Sequence, residues 1–215
     1  RNNCSAKNEC AIIGISMLNA HFSAENIHRT LDTVKASFKK VVFMLPDKPA
    51  KHTLKGYGYD EQEAEKTVKR KFKVLERDCR RSIASLNLPD TDIVRWKQVD
   101  QKEAYEAMLQ TLNELYEKDT VFKADARATT EAMYKGSQFP KKKDMKIEQQ
   151  IDAGTLFLLE ELAFILSSPE LFQAKDTTYL YHKEMPVLSK ILDGTYEFTP
   201  PENVQFQRVD IREEL

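Results

Sequence analysis

The chain has 215 residues, of which 41% are hydrophobic and 31% are charged. This composition is typical of a globular protein and argues against a disordered or membrane-embedded chain. The formal net charge of −1 does not by itself predict a polyanion partner. We expect one domain over residues 1–215, present as a monomer.

Signals for a compartment or a cofactor are weak. No apolar run approaches the ~18 residues needed to span a bilayer, and residues 1–10 lack the apolar core of a signal peptide. Cys4, Cys10 and Cys79 show no CxxC spacing, which favours a reducing compartment, and the histidines show no metal-ligand spacing. We therefore expect a cytoplasmic protein that needs no membrane, metal or cofactor.

The predicted elements alternate between short strands and helices. Residues 10–15 form an apolar run with β-branched side chains, typical of a buried strand, and residues 16–22 follow as a loop. Ser23 is a suitable N-cap for a helix over about residues 24–38. The later elements are a strand at 41–45, a polar stretch with Gly56 and Gly58, a helix at 61–86, a strand at 92–96, helices at 102–118 and 121–135, a loop with Pro140, a helix at 146–166 that stops before Pro169, and strands at 177–181 and 204–209.

This order of elements predicts an α/β fold, with a Rossmann-like, mostly parallel sheet that helices cover on both faces. The sequence has neither GxGxxG nor GxxxxGK[ST], so neither a dinucleotide site nor a P-loop is indicated. Open α/β sheets bind ligands outside the carboxyl ends of their strands, and we expect a site at that edge.

The long predicted helix carries a row of cations on one face, which we call the basic stripe: Lys66, Arg70, Lys73, Arg77 and Arg80. Their spacing of three and four residues places them one above another. A second, apolar stripe lies about 200° away at ~100° per residue and should face the sheet. Its members are Val68, Phe72, Leu75, Cys79 and Ile83.

The charge of this helix has two interpretations. Residues 66–81, which include Arg81, hold eight cations and two acids, a net charge of +6. Like charges four residues apart repel, and a polyanion partner would offset that cost through phosphate contacts and counterion release. The alternative is a solvated face without a partner, and both interpretations stay open. The lysines at 141–143 either extend this surface or only aid solubility.

A serine follows the first predicted strand. Gly14-Ile15-Ser16 places a hydroxyl just past the carboxyl end of that strand. Taken alone, this serine is an ordinary loop residue more often than a nucleophile. The serine-hydrolase elbow G-x-S-x-G would need glycine at position 18, where the chain has Leu18, so that class of enzyme is disfavoured.

Four stretches of the sequence, in order, resemble motifs of the cyclodipeptide synthase family. The first three are Gly-Ile-Ser with the following Asn and Phe-Ser pair (12–26), a basic helix (62–70 and 80–82), and a helix with Ala-Gly, a glutamate and Ser-Pro (153–169). The fourth resembles the closing motif of the subgroup with Asn, Tyr and His markers, here Asn19, Tyr181 and His182. The resemblance runs from about residue 10 to the C-terminus, and the four motifs together are specific.

The family's fold resembles the catalytic domains of the class I synthetases for tyrosine and tryptophan. Its members are aminoacyltransferases that join two amino acids, taken from two aminoacyl-tRNAs, into a cyclic dipeptide (a diketopiperazine). The chain has neither the HIGH-type nor the KMSKS-type motif that those synthetases use for ATP. This absence fits the resemblance, because an aminoacyl-tRNA ester is already activated.

The resemblance also implies roles for five residues. Ser16 is the nucleophile that takes the first aminoacyl group as an ester. Glu161 holds the α-ammonium group of that amino acid and later assists its deprotonation. Tyr181 orients the substrate and relays protons during ring closure, Asn19 fixes the loop around Ser16, and His182 supports the site.

Binding roles follow from the same pattern. Ile12, Gly14 and Met44 are expected to line the pocket for the first amino acid, which we call the first pocket, and Thr129 is expected at the second pocket. The pattern does not choose the amino-acid pair. The cations expected to dock the first tRNA are Lys66, Arg70, Lys73, Arg77, Arg80 and Arg81.

One residue departs from the family pattern. One helical turn before Glu161 the family typically has a tyrosine whose hydroxyl also contacts the α-amino group, and this chain has Phe157. Losing a hydrogen bond to a charged group costs about 1.5–3 kcal/mol, so either activity is low or a hydroxyl of Tyr57, Tyr59 or Tyr179 substitutes. The rival hypothesis is a non-catalytic RNA-binding α/β module, in which only the basic stripe matters.

Overall fold

A single parallel sheet organises the part of the chain that the structure describes, residues 8–210 of a computed structural model. Five strands lie in the order β3-β2-β1-β4-β5, and each neighbouring pair is parallel. The strands are β1 (Asn8–Gly14), β2 (Phe38–Leu45), β3 (Asp92–Arg95), β4 (Thr177–Tyr181) and β5 (Val204–Arg208). The predicted Rossmann-like α/β fold is confirmed, with a sheet that is entirely parallel over these residues.

Helices connect the strands and cover both faces of the sheet. They are α1 (Ala24–Val34), α2 (Ala50–Gly56), α3 (Glu61–Ser85), α4 (Glu103–Lys118), α5 (Thr120–Gly136), α6 (Ile147–Phe172) and α7 (Pro186–Leu192), with a 3-10 turn at Trp96–Gln98. Within residues 8–210, every helix is too short or too polar to cross a bilayer.

Side chains that alternate along the strands supply two cores. Ile12 and Met44 point to one face and pack with apolar residues of α4, α5, α6 and α7. Ile13 and Phe43 point to the other face and pack with residues of α1, α2 and α3. Each of these four side chains is at most 1% exposed, as expected for strands buried between two helical layers.

The first helix ends earlier than predicted. Ser23 caps it as expected, since its Oγ accepts a hydrogen bond from the backbone N–H of Asn26 at 3.2 Å. The predicted end at residue 38 is wrong, because α1 ends at Val34 and Phe38 already pairs with β1 as the first residue of β2. The apolar period of a helix cannot show that the last apolar residue belongs to the next strand.

Two further differences concern helices. The seven-residue helices α2 and α7 were not predicted, because each is too short to show a repeating apolar period. Helix α6 continues to Phe172, so the predicted stop before Pro169 is wrong. Proline removes the N–H that would bond the carbonyl of Ile165, and the hydroxyl of Ser168 donates to that carbonyl instead, at 2.7 Å.

Helix α3 agrees with its predicted pattern. Four of the five apolar-stripe residues are buried and Ile83 is partly buried, whereas all five basic-stripe residues and Arg81 are exposed. Asp60 caps the helix at its start, where its carboxylate accepts from the backbone N–H of Glu63 at 2.8 Å. The cations therefore face outward on a helix that its apolar side anchors to the sheet.

Candidate active site

A cavity of about 1190 Å³ opens at the carboxyl ends of β1 and β4. This is the edge at which open α/β sheets bind ligands. Its walls come from the loop after β1, from α2, α5 and α6, and from the segment after β4. The residues that line it include Ser16, Asn19, Phe157, Glu161 and Tyr181, all singled out in the sequence.

Ser16 lies in the turn that follows β1. The backbone N–H of Ile15 still bonds the carbonyl of Met44 at 3.1 Å, so the ladder fixes the chain up to the residue before Ser16. The carbonyl of Ser16 then accepts from the N–H of Asn19 at 3.3 Å, which closes the turn. Ser16 is half-buried at the cavity wall and is thus held by backbone bonds on both sides.

Glu161 enters the same cavity from α6. Burial raises the pKa of its carboxyl to about 7, and a hydrogen bond from Tyr179 partly opposes that rise. The Tyr179 hydroxyl donates this bond to Oε1 of Glu161 at 3.0 Å. Within residues 8–210 no cation forms an ion pair with Glu161, so a bound ammonium group would find a carboxylate that no other cation neutralises.

Tyr181, the last residue of β4, links the glutamate to the serine. Burial and the negative charge of Glu161 raise the pKa of its hydroxyl. The nearby side chains of Ser16 and Asn19 lower that pKa and so act in the opposite direction. A phenol that stays protonated between a serine and a carboxylate can pass a proton without carrying charge itself.

Asn19 and His182 support one another beside the serine turn. The Oδ1 atom of Asn19 accepts from the backbone N–H of His21, so its Nδ2 donates to Nε2 of His182 at 3.2 Å. The rings of His21 and His182 stack with centroids 4.0 Å apart. Burial, with the nearby His21 and Lys183, lowers the pKa of His182 to about 4, which keeps this ring neutral as an acceptor.

The expected residues of the first pocket are placed differently. Ile12 and Met44 are 0% and 1% exposed, and neither they nor Gly14 line the cavity. Tyr179 occupies the space next to them, because a Cβ atom added at Gly14 would lie 2.0 Å from the Tyr179 hydroxyl oxygen. The missing side chain of Gly14 is therefore what admits the phenol that contacts Glu161.

Of the three tyrosines considered as a substitute for the hydroxyl missing at Phe157, Tyr179 is the one bonded to Glu161. The Tyr57 hydroxyl lies near the side chain of Ser137, which lowers its pKa, and the Tyr59 hydroxyl donates to the carbonyl of Pro140 at 3.4 Å. Sequence reasoning named Tyr179 only as one of three. The alternation along β4, which puts positions 179 and 181 on one face, could have favoured it.

The basic stripe runs from solvent to the mouth of the cavity, which Arg70 and its neighbour Lys71 line. Lys66, Arg70 and Lys73 form no ion pair with any other residue in the range 8–210. Two members are paired within the helix: Arg77 with Asp78 at 3.1 Å, and Arg80 with Glu76 at 2.8 Å. The exposed charge without a partner is therefore concentrated in the half of the stripe that adjoins the cavity.

The far wall of the cavity contains polar groups that the sequence reasoning did not single out. Asp125 of α5 accepts hydrogen bonds from Lys190 and Tyr196, both at 2.8 Å, and Lys183 lies on the same wall. Thr129, which was expected at the second pocket, also lines the cavity. Among the described residues, no group of three or more His, Cys, Asp or Glu side chains is arranged to hold a metal ion.

Comparison with known proteins places this site in a family. A family model described as "Cyclodipeptide synthase" matches residues 2–210. The chain belongs to the cyclodipeptide synthase family. The cyclo(L-leucyl-L-phenylalanyl) synthase of Streptomyces noursei is 25% identical to it over 183 residues, which cover 84% of this chain and 76% of the relative. The cyclo(L-leucyl-L-leucyl) synthase of Bacillus subtilis strain 168 is 22% identical over 190 residues, which cover 87% and 76%.

Solved structures show the same fold. A cyclodipeptide synthase from Bacillus thermoamylovorans aligns with a TM-score of 0.82 at 21% identity, over 95% of this chain and 90% of that one. One from Staphylococcus haemolyticus aligns with a TM-score of 0.81 at 18% identity, over 93% and 89%. A Mycobacterium tuberculosis protein, described as demonstrating that cyclodipeptide synthetases are related to type I tRNA synthetases, aligns with a TM-score of 0.72 at 16% identity, over 86% and 78%. The predicted family and its class of fold are confirmed, and the chain is an enzyme that forms cyclic dipeptides.

Proposed function

We propose that this synthase takes both amino acids from aminoacyl-tRNAs and works through esters of Ser16, without ATP. The observation that carries the proposal is a single cavity that Ser16, Glu161 and Tyr181 line, together with Arg70 of the basic stripe and its neighbour Lys71. Aminoacyl-tRNAs are substrates of the cytoplasm, and the proposal therefore assigns the enzyme to that compartment.

The first step is transfer of an aminoacyl group. The Ser16 hydroxyl attacks the ester carbonyl of the first aminoacyl-tRNA, the bond to the terminal ribose oxygen breaks, and the serine proton goes to that oxygen. The α-ammonium group of the new ester pairs with the Glu161 carboxylate. A pKa near 7 suits this carboxyl to hold the ammonium and then to accept its proton.

Two acyl transfers then build the ring. The freed α-amine attacks the ester of a second aminoacyl-tRNA, which gives a dipeptidyl ester on Ser16 and releases the second tRNA. The amine of the added residue attacks the Ser16 ester, the C–O bond breaks, and the ring closes. The protonated phenol of Tyr181, which lines the same cavity as Ser16, returns a proton to the serine oxygen in this step and takes one from the attacking amine.

The basic stripe would dock the first tRNA beside the cavity. Lys66, Arg70 and Lys73 are exposed and make no ion pair within residues 8–210, so they are free for phosphate contacts. Arg70 also lines the cavity, which would bring the bound backbone close to the point of acyl transfer. Arg77, Arg80 and Arg81 would extend the contact along the helix.

Replacing Ser16 by alanine tests the proposal. Ser16→Ala should abolish cyclic dipeptide in the medium of expressing cells and prevent covalent labelling by radioactive aminoacyl-tRNA, while tRNA affinity stays within about twofold. Folding should be preserved, because a turn hydroxyl contributes little to stability. Equal labelling of both proteins would exclude Ser16 as the nucleophile. tRNA binding without product or labelling in the wild-type protein would instead favour a non-catalytic RNA-binding role.

A further inference from the structure

The first pocket, as the family pattern predicts it, is filled in this chain. Its expected walls, Ile12, Gly14 and Met44, are covered by the ring of Tyr179, which pairs in register with Ile12 across the β1–β4 ladder. Tyr179 is 1% exposed, and its hydroxyl oxygen lies 2.0 Å from the position that a Cβ of residue 14 would take. The volume beneath Glu161 therefore holds protein atoms rather than open space.

Two contacts keep this ring in place. Its hydroxyl donates to Oε1 of Glu161 at 3.0 Å, and its face stacks on Tyr181 with ring centroids 6.4 Å apart. Moving the ring aside would break a bond to a buried carboxylate, and hydrogen bonds to charged groups are among the strong ones. These contacts therefore hold the Tyr179 ring in one position beneath Glu161.

We propose that Tyr179 sets the specificity for the first amino acid and restricts it to a small side chain, that of glycine or alanine. This inference rests on the proposed acylation of Ser16. The first amino acid is fixed at its carbonyl by Ser16 and at its ammonium group by Glu161, which leaves its side chain two directions. The direction toward the sheet meets Tyr179, and the open cavity on the other side must admit the second aminoacyl-tRNA.

The same residue is a positioning residue for Glu161. Its hydroxyl bonds the Glu161 carboxylate from the side of the sheet, whereas Phe157, one turn earlier on α6, offers no hydroxyl to the site. The two roles are linked, because the hydrogen bond that orients the carboxylate also holds the ring over Gly14. A variant that keeps the ring and removes the hydroxyl separates them.

The test is to measure which amino acid becomes attached to Ser16. Wild-type protein is mixed separately with tRNA charged with glycine, alanine, leucine or phenylalanine, and the Ser16 ester is followed by intact mass. Glycine and alanine should be transferred at least about a hundredfold faster than leucine or phenylalanine, since each misfitting methylene costs about tenfold or more. Ser16→Ala shows which adducts are specific.

Three tyrosine variants sharpen the measurement. Tyr179→Leu should raise the leucine and phenylalanine rates at least about tenfold relative to glycine. Tyr179→Phe should keep the preference for small side chains but slow acyl transfer to the second tRNA about tenfold. It should also move the pH midpoint of that step upward, because Glu161 loses a bond that lowers its carboxyl pKa while Tyr181, the other titratable group that interacts with it, is retained. The matched control is Tyr105→Phe, which removes a buried hydroxyl that accepts a hydrogen bond from Trp96 and neither lines the cavity nor contacts Glu161; it should leave the preference and the pH midpoint unchanged.

The outcomes separate this inference from the proposed function. Equal transfer of all four amino acids by the wild-type protein, or an unchanged preference in folded Tyr179→Leu, would overturn the specificity role alone. An unmoved pH midpoint in Tyr179→Phe would overturn the positioning role. Absence of a Ser16 ester with every charged tRNA would remove the proposed function, and this inference with it.

Discussion

The site around Glu161 and the basic stripe of α3 differ in almost every physical respect. Tyr179 is buried between the sheet and α6, Glu161 and Tyr181 are half-buried beside it, and burial shifts the pKa of each in the direction that disfavours charge. The stripe lies on the other side of the sheet, fully in solvent, and carries net charge on every turn. The site around Glu161 is shielded from water, whereas the basic stripe is exposed to it.

This difference teaches what each region can do. A carboxylate in a buried site holds an ammonium group strongly, because few water molecules compete for either charge. Exposed cations hold any one phosphate weakly, and they gain affinity by number and by counterion release. The proposed mechanism, which binds a large polyanion and then handles one small amine, needs both properties, and Arg70 of the basic stripe lines the same cavity as Glu161.

The strongest test of the buried region is Glu161→Gln, which keeps the shape and removes the charge. Product formation should fall at least about a hundredfold, because the amide can neither neutralise the ammonium group nor accept its proton. Product analysis of expressing cells gives the first reading. Yield close to that of the wild-type enzyme would show that the amine is held elsewhere.

Glu161→Gln should lower product formation but raise the free energy of unfolding at high pH. The folded-state pKa of Glu161 is raised to about 7 from 4.5, so the wild-type protein loses stability as the pH rises through that interval. The amide side chain of the variant does not titrate. The variant should therefore match the wild type near pH 4 and exceed it by about 3 kcal/mol above pH 8, as measured by urea unfolding. A difference that does not change with pH would mean that the carboxyl is not buried as described.

The exposed region is tested by removing the three members of the basic stripe that have no ion pair within residues 8–210. Replacing Lys66, Arg70 and Lys73 by alanine should make the slope of log tRNA affinity against log salt shallower by about 2–3 units, at ~0.7–0.9 per phosphate contact. Helix α3 should persist, since alanine is the best helix former and the apolar stripe is untouched. Ser16 acylation by a small activated ester, which carries no tRNA, should change little.

A matched triple variant controls for net charge. Lys97, Lys102 and Lys118 are also exposed, and they lie on the 3-10 turn and α4, at the opposite face of the sheet. Replacing them by alanine removes the same charge and should leave the salt slope nearly unchanged. Equal losses in the two triple variants would return the basic stripe to the interpretation of a solvated face.

The smallest expected effect is that of Phe157→Tyr. This change restores the hydroxyl of the family pattern, yet Glu161 already accepts a bond from Tyr179. We expect turnover within about twofold of the wild-type value, whereas in the Tyr179→Phe background the added hydroxyl should recover much of the lost rate. Comparing the effect of Phe157→Tyr in the wild-type and Tyr179→Phe backgrounds measures the coupling between positions 157 and 179 directly. A tenfold gain in the wild-type background would show that Tyr179 does not replace the missing contact.

The sequence was sufficient for features that local periodicity encodes. The two stripes of α3 and the apolar strands follow from spacing alone, and the structure agrees with both. The buried site required the resemblance to a family, because Ser16 and Glu161 carry no local signal that separates them from other loop or helix residues. The placement of Tyr179 between Gly14 and Glu161 could not be predicted, since it depends on the register of β4 against β1 and on the approach of α6.

A side-chain hydrogen bond joins helix α6 to strand β4 below the site. The hydroxyl of Ser168, which replaces the N–H that Pro169 lacks, also bonds the hydroxyl of Thr177 at 2.6 Å. Glu161 lies two helical turns from Ser168, roughly 10 Å away at ~1.5 Å per residue. Tyr179 lies about 7 Å along the strand from Thr177. The Glu161 carboxylate and the Tyr179 phenol thus stand on two elements that this hydrogen bond joins. A shift of the joined ends would move both side chains in the same direction. Pro169, at which the helix was predicted to stop, therefore lies at the contact that holds α6 and β4 at a fixed separation.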